Sequence, residues 1–257
     1  LHRRGYAPKS RGQALCALVY VFRHVLKRDM GVLELPVTPR VDRPLKIIPT
    51  ADEIMRTVAC MQGVPKLMAL LMYGSGLRVE ETCKLRVKDI DLAALTIRVH
   101  DGKGGKDRLC LLPKTLVEPL RLHLSLRSAI HDQDLAAGAG MVDLPGRLAV
   151  KYKSAPRSLE WQYLFPSQCV RGQHRWHAVP ETVQTALRAA LKLAGITKRL
   201  TPHTLRHAYA THSLRSNDIG TISRLLGHND LRTTALYIHA DQAKGVSPLD
   251  IDRKSVV

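Results

Sequence analysis

His203 and Arg206 stand three residues apart behind Thr201-Pro202, a pair that starts a helix with a hydroxyl cap and a ring already set to helical geometry. Residues at that spacing share a helix face. At a helix N-terminus the backbone amides favour a phosphate. An Arg offers a planar fork of donors to phosphate oxygens, and a His can donate a hydrogen bond or move a proton. A phosphodiester fits such a pair, and so does an ordinary helix start with two surface side chains. Arg78 follows Gly74-Ser75-Gly76-Leu77, where glycines let backbone approach a ligand. It reads as a second phosphate clamp, or as a turn Arg in solvent or paired with Glu81 three residues on. Lys103 lies between Gly102 and Gly104 and could hand a proton to a leaving oxygen or simply touch phosphates. His228 follows Gly227 at a helix end, as a phosphoryl ligand or an exposed cap. Tyr237 lies about 120° from the apolar stripe Leu231, Ala235 and Ile238, as a hydroxyl outside the core would, or as a partly buried tyrosine with a bonded hydroxyl.

These residues must be carried by a fold, and the sequence predicts a mainly α fold with a small β-hairpin, in the α+β class. Thr50-Ala51-Asp52-Glu53 fits a capping box and predicts a helix over 51–61. Further helices are expected over 66–73, ending at Gly74-Ser75-Gly76, and from Val79 to Leu85. Between Leu95 and Leu112 the apolar period changes from that of a helix to alternation, around the turn Asp101 to Lys106, which predicts a hairpin. Helices follow over 181–194, 202–215, 219–226 and 231–240. Regular periodicity fades between Pro145 and Trp176, where basic residues mix with Trp161, Tyr163, Phe165 and Trp176, so about 145–177 reads as an insertion.

Ahead of this domain, residues 10–28 have the spacing of one amphipathic helix, which needs partners to form a core. The chain opens at Leu1 without an initiator Met, so residues 1–34 are expected to be the end of a longer N-terminal domain. Residues 35–49, with Pro36, Pro39 and Pro44 among Arg40, Arg43 and Lys46, read as an extended basic linker. The domain at 50–257 closes with a tail at 241–257.

A formal charge of +18 exceeds what solubility needs and points to a polyanion. With aromatics at 4%, a binder built mainly from stacking platforms is disfavoured. Cys16, Cys60, Cys83, Cys110 and Cys169 are odd in number and form no C-x-x-C pair, the pattern of reduced thiols in a cytoplasmic protein. No apolar run approaches the ~20 residues of a membrane span. Asp89 and Asp91, the nearest carboxylate pair, have no matching His or third acid in sequence, and there is no Gly-rich Walker loop.

The segments Gly74 to Arg78, Gly102 to Arg108, Thr201 to His207, Leu225 to His228 and Thr233 to His239, in that order, resemble the tyrosine recombinase (phage integrase-like) signature from about Thr50 to His239. The resemblance implies that family's catalytic-domain fold, preceded by a remnant of a helical DNA-clamping domain. It implies Tyr237 as a nucleophile forming a 3′-phosphotyrosyl enzyme, with Arg78 and Arg206 stabilising the transition state. Lys103 would protonate the leaving oxygen, His203 would assist the tyrosine, and His228 would hold a phosphoryl oxygen. It implies DNA as partner, assembly on DNA as a tetrameric synapse, and no cofactor. DNA contacts are expected from Lys106, Arg108, Arg40, Arg43 and Lys46. The run Trp161 to Pro166, the basic segment through His177 and Ser247-Pro248-Leu249-Asp250 are most similar to integron integrases, which move gene cassettes at folded single-stranded sites. That makes Trp161, Trp176 and His177 candidate base contacts, against the alternative of an internally packed lobe. A duplex-specific Xer or phage-type recombinase, or a non-catalytic DNA-binding relative, is the rival reading. The segment from Arg215 to His228 is about one residue shorter than the usual pattern.

Overall fold

Thr50 caps the helix that follows it as the sequence predicts: in the computed structural model its hydroxyl accepts from the Glu53 amide at 3.2 Å, while the Glu53 carboxylate accepts from the Thr50 amide at 2.7 Å. The structure describes residues 8–28, 31, 48–100, 107–146, 148–214 and 218–226. The chain divides into two units, Leu1–Leu45 and Lys46–Val257. In the first, α1 (Pro8–Tyr20) runs into a π turn at Val21–Val25. No described residue of this unit is buried, as expected of a single helix without packing partners.

In the second unit α2 (Ala51–Ala59) is followed by α3 (Gly63–Ser75), whose Met68, Ala69, Leu71 and Met72 are wholly buried. α3 is the hub of the fold: α7 (Pro180–Leu193) and α8 (Pro202–Ser213) pack on it, and α2 also packs on α7. α3 runs three residues earlier and two later than sequence periodicity predicts. It ends where Gly76 takes the left-handed conformation at φ +66°. α4 (Val79–Lys84) follows, and then an antiparallel sheet of β1 (Ile90–Asp91), β2 (Thr96–Val99) and β3 (Arg108–Leu111). The predicted hairpin is present, with Thr96 opposite Leu111 and Val99 opposite Arg108. Its turn, 101–106, lies outside the described residues.

α5 (Val117–Ala136) is a 20-residue helix that sequence reading does not single out. Leu120, Leu122, Leu124 and Leu126 recur every second residue, the period of a strand. Meanwhile the buried positions further along α5 are Arg127, His131 and Asp134, so its inward face does not look apolar.

The 145–177 stretch is joined to the main core. The Leu164 amide donates to the Leu85 carbonyl at 2.7 Å and the Val87 amide to the Gln162 carbonyl at 3.0 Å. Leu164 and Phe165 are wholly buried in the same core as Leu71, Leu120 and Leu187. Periodicity is lost there because the chain uses short turns around α6 (Leu148–Lys151) and then the hairpin of β4 (Pro166–Arg171) and β5 (His174–His177). Arg175 of β5 is paired with Asp134 of α5. α9 (Ile219–Leu226) packs on β3 and closes a small second cluster in which Ile222 and Leu226 meet Tyr209 and Ala210 of α8.

Candidate active site

Arg78 is the residue before α4, with extended backbone. Its amide donates to Glu81 Oε2 at 2.8 Å and its Nη1 to Glu81 Oε1 at 2.6 Å. The local pairing open from the sequence is therefore real, yet it is only one part of a larger group. From β3, Arg108 donates through Nη1 and Nη2 to the two oxygens of the same carboxylate at 2.9 and 2.6 Å. From α8, Arg206 brings Nη1 to 3.9 Å from Glu81 Oε2. Residues 78, 108 and 206, far apart in sequence, thus converge on one acid.

Arg206 is held by backbone as well. Its Nη1 donates to the Gly76 carbonyl and its Nη2 to the Leu226 carbonyl at 2.6 Å. The helix end at Gly76 and the end of α9 therefore meet across this guanidinium. Gly76 also has to lack a Cβ, which would run into the Tyr209 ring. Arg206 is 4% exposed at its side chain and Arg78 27%, so Arg206 lies behind and Arg78 opens to the surface. The cluster has three cations to one anion, a preorganised positive field of the kind that stabilises charge growing on a phosphoryl group.

Burial pushes the Glu81 carboxyl up, but hydrogen bonds from the Arg108 side chain and the Arg78 amide, with the Arg108 charge, outweigh it and bring it down to about 2. Arg108 is raised in turn, its burial being outweighed by Glu81. Sequence reasoning missed Glu81 as anything more than a neighbour of Arg78. Its only sequence signal is an acid in the first turn of α4, where the helix dipole favours one.

At the head of α8, the Thr201 hydroxyl caps the helix by accepting from the Thr204 amide at 3.2 Å. His203 is exposed, and its ring stands 4.1 Å from that of His207 in an edge-to-face pair. Lys103, His228 and Tyr237 lie outside the described residues, as do Lys106, Arg40, Arg43 and Lys46. The described ends nearest to two of them are bonded into the cluster: Arg108, which resumes the sheet after 101–106, also donates through Nε to the Leu225 carbonyl at 3.2 Å.

Arg108, expected from the sequence to touch DNA, has a side chain only 9% exposed, with its donors on Glu81 and the Leu225 carbonyl. The aromatic candidates are dispersed. Trp161 is partly buried beside a cleft of about 480 Å³, with Lys88 Nζ 3.0 Å from its ring centroid. Trp176 on β5 is 41% exposed. His177 packs edge-on to Tyr163 and bonds the Ala178 carbonyl at 2.7 Å. Asp89, which looks isolated in sequence, has His100 Nε2 3.4 Å from its Oδ1, and His100 Nδ1 is 2.7 Å from Asp107. This ring lies between two carboxylates rather than joining them around one point, and no metal-binding group of His, Cys, Asp and Glu occurs among the described residues. No described helix is long and apolar enough to cross a membrane.

Comparison with known proteins matches residues 47–244 to the Phage integrase family. The chain belongs to this family of tyrosine recombinases. An Escherichia coli protein named Integrase/recombinase, and another of that name from Pseudomonas aeruginosa, are each 42% identical over 250 residues, covering 93% of this chain and 74% of theirs. The tyrosine recombinase XerA of Thermococcus onnurineus is 32% identical over 241 residues, covering 92% of this chain and 73% of its own. Among solved structures, a XerA recombinase is similar at a TM-score of 0.54 and 27% identity, covering 92% of this chain and 73% of that one. The XerH site-specific recombinase bound to difH substrate shares the fold at a TM-score of 0.64 and 17% identity, over 94% of this chain and 65% of that one. The protein is thus an enzyme of the class that breaks and rejoins DNA strands in site-specific recombination.

Proposed function

We propose that this recombinase cuts DNA through Tyr237 and acts, as integron integrases do, on folded single-stranded sites as well as duplex, integrating or excising gene cassettes. The observation that carries the cutting chemistry is the convergence of Arg78 and Arg206 on Glu81 beside the N-terminus of α8. In this reading the Tyr237 oxygen attacks a DNA phosphorus, the bond from phosphorus to the 5′-oxygen breaks, and the 3′-phosphate stays on the tyrosine. The tyrosine proton, with an ordinary pKa of about 10, leaves with help from His203. Lys103 supplies the proton for the departing 5′-oxygen. Arg78 and Arg206 stabilise the negative charge that grows on the phosphoryl group, His228 holds one of its oxygens, and the energy of the broken phosphodiester is kept in the phosphotyrosyl bond, so no ATP is needed. Arg40, Arg43, Lys46 and Lys106 contact the DNA backbone, and four protomers assemble around two sites.

The base contacts come from the partly exposed Trp176, and from Trp161 and His177 if the packing against Lys88 and Tyr163 opens. Similarity to XerA favours a second reading, a recombinase restricted to duplex.

A nicked suicide site, offered as folded single strand and as duplex, tests both parts on a denaturing gel. A covalent adduct that disappears in Tyr237→Phe supports the nucleophile, and its absence from wild type on both forms overturns the assignment. Trp176→Ala is expected to lower adduct on the folded strand while sparing duplex; equal loss on both would favour the duplex reading.

A further inference from the structure

Arg108 opens β3, and every nitrogen of its guanidinium is used inside the protein. Nη1 and Nη2 donate to the two oxygens of Glu81 at 2.9 and 2.6 Å, and Nε donates to the Leu225 carbonyl at 3.2 Å. A buried guanidinium with its whole fork engaged in this way braces the groups around it and has no donor left for a DNA strand.

The carboxylate that it grips is shared with Arg78. Oε1 accepts from Arg78 Nη1 at 2.6 Å as well as from Arg108 Nη1, and Oε2 accepts from the Arg78 amide at 2.8 Å as well as from Arg108 Nη2. Among the described residues, Nη1 is the only nitrogen of the Arg78 guanidinium that is bonded, and Arg78 is the most exposed of the three arginines. An arginine and a carboxylate with no third party pair fork to fork, through two parallel bonds. Arg108 already holds Glu81 in that manner. Arg78 is therefore held at one corner and keeps Nε and Nη2 for another anion.

The same brace reaches α9. The Leu225 and Leu226 carbonyls are among the last four of that helix, which have no partner within it. Arg108 takes the first at 3.2 Å and Arg206 the second at 2.6 Å.

We infer that Arg108 is a positioning residue for the phosphate clamp: by occupying the Glu81 carboxylate it keeps Arg78 singly held and open toward the scissile phosphate. This rests on the role given to Arg78 above. Loss of the Arg108 fork should slow cutting without loosening the bound site.

Two variants test this. Arg108→Lys keeps a positive charge beside buried Glu81 but lacks the fork, and Glu81→Asp keeps the negative charge while drawing the carboxylate back by one methylene. Single-turnover adduct formation by the full chain is measured on a nicked duplex suicide site at saturating protein, and Kd for the intact site is measured across a range of salt. Rates are referred to protein that binds the site, so loss of fold does not imitate loss of rate. Removing a donor to the transition state costs about 100–1,000-fold, the loss expected of Arg78→Ala. Displacing that donor should slow Arg108→Lys and Glu81→Asp by about 10–100-fold. Their Kd should stay within about twofold of wild type with the same salt slope. In an Arg78→Ala background the same substitutions should add less than about twofold, because their effect passes through Arg78. Full slowing in that background, or no slowing of the single variants, overturns the positioning role. So does a weaker Kd with a shallower salt slope and a normal rate at saturation, the behaviour of a residue that contacts DNA. If wild type forms no adduct, or Arg78→Ala cuts at the wild-type rate, the clamp itself fails, and the role of Arg108 with it.

Discussion

Replacing Glu81 by Gln removes one negative charge and nearly nothing else, and it leaves the buried Arg108 guanidinium facing a neutral amide. Lowering the carboxyl from 4.5 to about 2 on folding corresponds to about 3 kcal/mol of stability at neutral pH, and Glu81 is only 9% exposed, so solvent screens little of it. Breaking a buried ion pair from one side costs a similar ~3–5 kcal/mol. The sign follows from the depressed value. The contribution is complete above pH 4.5 and is lost as pH falls toward about 2, where wild type carries a protonated acid much like the amide. Urea unfolding of wild type and Glu81→Gln should therefore differ by about 3 kcal/mol at pH 7 and by less than half of that at pH 3. Every other carboxylate is common to the two proteins and cancels in the difference. A gap below about 1 kcal/mol at pH 7, or one that does not narrow in acid, would refute the account of Glu81 as the acid that gathers the arginines.

Two further outcomes follow from the packing around the site. Gly76→Ala places a Cβ against the Tyr209 ring at a backbone φ of +66°, and should cost about 2–5 kcal/mol in urea unfolding, with covalent adduct on a suicide site falling beyond the loss of folded protein because relief of that clash shifts the residue 76 carbonyl away from Arg206. Phe165→Ala should cost about 3–5 kcal/mol by thermal or urea unfolding, since the ring is wholly buried in the main core; a change under 1 kcal/mol would mean that the 145–177 stretch is peripheral after all.

The residue types of a phosphate-cutting site were legible in the sequence because their chemistry is local: the cap at Thr201, the helix start holding His203 and Arg206, the glycines before Arg78 and the alternation that makes the β2–β3 hairpin each depend on near neighbours. The predicted helices at 51–61 and 202–215 are present in slightly shorter form for the same reason. Side-chain partners were not legible. Whether Arg108 meets DNA or Glu81, and whether Asp89 stands alone or beside His100, depends on segments that approach one another only after the core closes. α5 escaped notice because much of the face it buries is polar and bonds to groups distant in sequence, with Arg127 donating to the Tyr163 carbonyl at 2.9 Å. The sequence by itself determined the helical class, the hairpin and the family of chemistry, through periodicity and spacing. Only the tertiary structure decided which arginine faces outward and which serve the carboxylate, because burial makes an unpaired charge too costly to leave, and the choice of partner is made where the chain folds back on itself.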